Sequence, residues 1–147
     1  MIQPSTRRMR AAEACRLRFQ GKPYKPGARD CPLLALHALR KAGVSVPWAK
    51  GLKWKDEAEG LRVLKSLGFK SLIEAVDSLG LPRIPPAMAL AADLVALPTS
   101  HQLGALAVSM GNGNLLAFTD HTGNAEVLTG VTTFVTDSLG PCAWRVI

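Results

Sequence analysis

The side chains best equipped for chemistry are three cysteines, Cys15, Cys31 and Cys142, and three histidines, His37, His101 and His121. Cys31 has the most suggestive neighbours. Asp30 is a good N-cap, because its carboxylate can accept a first-turn backbone N–H. Pro32 fits a first turn, where its missing N–H is no loss. The apolar run Leu33–Leu39 follows, then Arg40 and Lys41 at the negative helix end and Gly43 at the stop. Cys31 therefore stands at the positive end of a predicted helix. That position lowers a thiol pKa and makes a nucleophile when a base lies nearby.

Four residues come into question as a partner. His37 follows Cys31 by six residues, about 600° of rotation and about 9 Å of rise, so the two cannot meet on one helix. It reads as a core histidine. His101 lies in a later, strand-like region. His121 sits in a turn beside Asp120, a pair suited to base and orienter, although turn histidines are most often merely solvated. Gln102 can donate a hydrogen bond but cannot hold a proton near neutral pH. The cysteine count is odd and no CxxC pair exists, so neither a disulfide framework nor a zinc site is expected. No metal or cofactor is implied.

These residues need elements to position them. Ser5 is the expected cap of a first helix ending near Phe19, with Met9, Ala12, Cys15 and Phe19 as its buried stripe. Gly21, Pro23, Pro26 and Gly27 force a loop, in which Tyr24 reads as a packing anchor. The Cys31 helix spans about 32–42 and should be central. Residues 44–57 read as an irregular surface loop with one or both of Trp48 and Trp54 folded inward. Further helices are expected at about 57–67 and 71–79, the latter with Ser71 and Glu74 as a capping box.

Beyond Pro86 the period changes. Strands are expected at 94–97, 103–110, 115–119, 126–129 and 143–146. Gly111-Asn112-Gly113-Asn114 marks a hairpin, since Asn-Gly supplies positive φ at little strain. Helices first and an antiparallel sheet second describe one α+β domain over 1–147: a basic helix and loop at 1–29, a helical part at 30–80 and a sheet at 87–147.

Composition narrows the class. The chain is 48% hydrophobic and 20% charged, which suits a packed globular core. No apolar run approaches a membrane span. Arg16 and Arg18 interrupt any stretch that could serve as a signal peptide, so folding in a cytoplasm is expected. Residues 1–29 hold eight basic side chains against Glu13 alone, while the rest balances ten against ten. The entire net charge of +7 therefore belongs to the N-terminal segment. Such a run is either a docking element for an acidic partner or a solvated helix face. No aromatics alternate with the arginines, which argues against single-stranded nucleic acid.

Several short stretches match one family in order. They are Phe19-Gln20-Gly21-Lys22-Pro23-Tyr24 leading into Gly27-Ala28-Arg29-Asp30-Cys31, then Ala92-Asp93-Leu94-Val95. Leu103-Gly104 before the Gly111-Asn112-Gly113 hairpin and the terminal Ala143-Trp144-Arg145-Val146 complete the set. Together they resemble the papain-like NlpC-type peptidoglycan endopeptidases, in particular a small relative found among bacteriophage tail genes. The resemblance implies a papain-like fold, with the Cys31 helix packed on the sheet and Cys31 at the nucleophile position. It also implies a histidine on the second strand as base, two residues before that strand's glycine. Here that position is Gln102, and His101 is one residue off, which on a strand points to the opposite face.

What the resemblance implies for function is a bacteriophage tail component at the tip or hub. It would lie in the virion beside other tail proteins and be degenerate as an enzyme, with Cys31 retained at the nucleophile position. The alternative is an active cysteine endopeptidase or amidase acting on peptidoglycan, with Cys31, His101 and Gln102 as its site and His121 as another base. A weaker alternative is a nucleic-acid-binding accessory protein. Catalysis needs mutual geometry and not the thiol alone, so the balance falls on the non-catalytic reading.

Overall fold

The computed structural model describes residues 3–100 and 102–147. His101 lies outside the described residues. The first helix, α1 (Pro4–Phe19), starts with proline in its first turn, and its N-cap is Gln3 without a side-chain bond. Ser5 is thus inside the helix rather than its cap. The buried stripe is Ala11, Ala12, Cys15 and Phe19, while Met9 is 58% exposed. Small residues at 11 and 12 let α1 approach α2 (Cys31–Lys41) closely, which rotates Met9 outward.

The basic segment is accordingly a packed helix and not a free arm. Arg7 donates to the Ala42 carbonyl at 2.6 Å, and Arg8 donates to Ile147 at 2.9 Å. Arg16 pairs with Glu13, and Arg29 donates to the Pro23 carbonyl. Part of the charge run therefore fastens α1 to the end of α2 and to the chain's last residue.

Helix α2 is central, as its apolar run predicts, burying Leu34, Ala35, His37, Ala38 and Leu39. His37 packs edge-on against Phe19 and its Nδ1 lies 3.1 Å from Arg40. Burial, with Arg18 and Arg40 nearby, lowers its pKa. It faces the core, as expected. Helix α3 (Glu57–Ser66) is capped by Asp56, which accepts from the Glu59 N–H at 2.8 Å. Helix α4 (Leu72–Asp77) is capped by Ser71, which accepts from the Glu74 N–H at 3.3 Å.

The chain then turns to strands: β1 (Leu94–Leu97), β2 (Ala105–Gly111), β3 (Asn114–Phe118) and β4 (Ala125–Leu128). A short hairpin of β5 (Thr136–Asp137) and β6 (Gly140–Pro141) precedes β7 (Ala143–Trp144). The main sheet is antiparallel in the order β4-β3-β2-β1-β7. Asn112 and Gly113 take φ of +55° and +78°, the left-handed pair that a two-residue hairpin needs. A register shift between Ser109 and Gly111 leaves Met110 as the extra residue of a bulge. That bulge lies beyond Gly104, so it does not alter the frame of the residues before it.

Alternate strand residues divide between two apolar clusters. Leu94, Ala96, Leu106, Val108 and Leu116 join the helices in the larger one. Val95, Ala107, Leu115, Ala117 and Ala143 pack on the other face with Ile84 and Phe134. The result is an α+β domain with α2 laid across β2, and this contact carries the cysteine to the sheet.

Candidate functional site

The loop before α2 is held by Asp30, a buried residue at the helix N-cap. Its Oδ1 accepts from the Leu33 N–H at 3.0 Å. Its Oδ2 accepts from the Gly27 N–H at 2.8 Å and from Trp54 Nε1 at 2.7 Å. One carboxylate thus starts the helix, folds the preceding turn and pulls the 44–56 loop over both. Gly27 has φ +78°, and a β-carbon there would stand 1.9 Å from the Trp54 carbonyl oxygen. The close approach of these two loops requires glycine.

Cys31 follows at the first helical position, half-buried. Its Sγ lies 3.8 Å from the Gly104 carbonyl, to which the thiol donates. Burial pushes the thiol up to about 12, and the Asp30 and Glu57 charges push in the same direction. The Leu106 backbone N–H works against them. The helix N-terminus that favours a thiolate is therefore outweighed by desolvation and by the carboxylate that caps it.

Cys31 opens onto a cleft of about 280 Å³ between the helix start, the end of β1, the beginning of β2 and the turn after β3. Tyr24, Glu57, Thr99, Phe118 and Asp120 are among its walls. The Tyr24 hydroxyl donates to Glu57 Oε1 at 2.6 Å, and its ring stands edge-on to Phe118. Burial, then the bond to Glu57, raises the Tyr24 pKa. The anchor role expected for Tyr24 is correct, with a polar bond the sequence did not reveal.

The other sequence candidates are placed differently. Gln102 is exposed in a turn, three residues before β2 begins, and so is not the strand residue that the pattern suggests. Gly104 takes φ +98°, which breaks the extended chain and starts the strand late. His121 is exposed in the turn after β3, while Asp120 beside it lines the cleft. Cys15 is core, with its thiol pushed up to about 12 by burial. Cys142 is also buried and lies beside Arg83 Nη1. Among the described residues no cluster of three or more His, Cys, Asp or Glu could hold a metal. No described helix is long and apolar enough to cross a membrane.

A family model described as "Domain of unknown function (DUF6950)" matches residues 6–145. The chain belongs to this family. No curated protein matches the chain, and no solved structure does. The match runs from the first turn of α1 to the residue after β7, so the Cys31 cleft and nearly all of the packed basic helix fall within the DUF6950 domain.

Proposed function

We propose that this DUF6950 domain is a papain-like, NlpC-type scaffold that has lost hydrolysis and serves as a structural component of a bacteriophage tail, at its tip or hub. The observation that carries the non-catalytic part is the Cys31 thiol. It donates to the Gly104 carbonyl and is pushed up to about 12, a state unsuited to nucleophilic attack near neutral pH. The tail setting comes from the family resemblance, with neighbouring tail proteins as the partners and the virion as the location. The exposed surface of α1, with Met9, Leu17 and Arg10, supports docking there.

The test is digestion of purified peptidoglycan by the wild-type chain and by Cys31→Ala. The expected result is no soluble peptide release from either. Release by wild type that vanishes in Cys31→Ala would favour the alternative, a cysteine endopeptidase. For the docking half, Arg10→Glu is the suitable variant, because Arg7 and Arg8 also hold the fold. It should reduce incorporation into tails while leaving the melting temperature near that of wild type.

A further inference from the structure

A second cavity adjoins the Cys31 cleft, and Pro32, Leu103 and Leu106 border both. It lies among α2, α3, α4 and the 46–54 segment and holds about 70 Å³. No residue lining it carries a charged, hydroxyl or amide side chain. The Trp54 indole N–H is already committed to Asp30. Leu36, Trp48, Leu52, Trp54, Val63 and Leu67 line it and are all half-buried, so the cavity reaches the surface.

A polar occupant would lose its hydrogen bonds there. A dry apolar cavity of about 150 Å³ holds a benzene, so this one suits about three carbon atoms, the branched end of an aliphatic side chain. The surrounding charge selects further. The segment that walls the cavity carries exposed Lys50, Lys53 and Lys55. Of the acidic residues that follow, Asp56 caps α3, Glu57 accepts from the Tyr24 hydroxyl, and Glu59 is half-buried in the first turn of α3. An apolar floor beside a segment with three exposed lysines fits an aliphatic residue set among carboxylates.

We propose that this cavity is a docking socket for an acidic segment of a partner protein, anchored by one leucine, isoleucine or valine side chain. The proposal rests on the docking reading above. The two fail separately: cleavage of peptidoglycan would remove the non-catalytic reading and leave the socket standing, whereas absent peptide binding would remove the socket alone.

The experiment is an NMR titration of the full chain, following the indole N–H resonances of Trp48 and Trp54. The probe is a capped pentapeptide with leucine at its centre and two glutamates on each side. Saturable shifts in the millimolar range are expected. Alanine in place of the leucine should weaken them at least about tenfold, through lost apolar burial. Lysines in place of the glutamates, or Lys53→Glu in the protein, should weaken them as well. Ala49→Phe, which fills the cavity, should abolish them, and the exposed Lys53→Glu keeps the test open if that variant does not fold. Equal binding of the leucine and alanine peptides would overturn the proposal. So would indifference to the sign of the flanking charges, or saturation by octanoate with no response to the peptide.

Discussion

Among the described residues Asp30 and Asp93 are the two buried aspartates, and they make nearly the same bonds with opposite consequences. Asp30 begins α2 and accepts two backbone N–H groups and the Trp54 indole N–H. Asp93 precedes β1 and accepts from the Leu90 and Val146 N–H groups and from Arg145 Nε at 2.9 Å. The difference is the third donor. Asp93 meets a guanidinium, so its charge is balanced while it ties the sheet to the last residues of the chain. The three donors to Asp30 are neutral, and its charge is felt by Cys31, whose thiol it helps to raise. The same capping device is a fastener in one place and a brake on a nucleophile in the other.

Substitutions at the two aspartates should separate their roles. Asp93→Ala should have the largest effect, a loss of about 3 kcal/mol, because it strands two N–H groups and a partly buried guanidinium. Chemical denaturation measures it. Asp30→Asn should lose less, about 2 kcal/mol: the amide oxygen can still accept from Gly27 and Trp54, its NH2 leaves the Leu33 N–H without an acceptor, and no cation is left unpaired. It should also move the Cys31 thiol pKa downward, read by pH-dependent alkylation. Equal losses for Asp30→Asn and Asp93→Asn would show that the guanidinium does not distinguish the two sites.

A smaller effect is expected at the Arg83 clasp, where salt bridges join the end of α4 to the β5–β6 hairpin. Arg83 bonds Asp77 and Asp137, and it holds the Asp137 carboxyl down at about 2 against an ordinary 3.8. A depressed carboxylate contributes stability above its unfolded pKa and loses it as pH falls through the folded one. The hairpin should therefore loosen between about pH 4 and pH 2, seen as shifts at Leu139. The Asp137→Asn variant should not show that transition.

The sequence makes the helix start legible because its signals are local. Asp30, Pro32, the apolar run and Gly43 all act within one helix, and the structure puts that helix at the centre. The Asn112-Gly113 hairpin and β1 are legible for the same reason. What the sequence hides are partners brought from far along the chain. The Trp54 indole reaches Asp30 across 24 positions, and Tyr24 reaches Glu57 across 33. The late start of β2 is hidden too, because the positive φ of Gly104 overrides an apolar pattern that begins at Leu103. Met9 faces outward because helix packing chose the small residues at 11 and 12, a choice that periodicity alone cannot make.

If the Cys31 thiol is held protonated, its reactivity will show it. The most direct test is the rate of Cys31 alkylation by iodoacetamide between pH 6 and pH 10, with modified peptides identified by mass, in wild type, His101→Ala and His121→Ala. A protonated, buried thiol gives a rate that keeps rising with pH, with no plateau below pH 9 and no dependence on either histidine. A plateau with a midpoint below pH 8 that disappears in one histidine variant would contradict it.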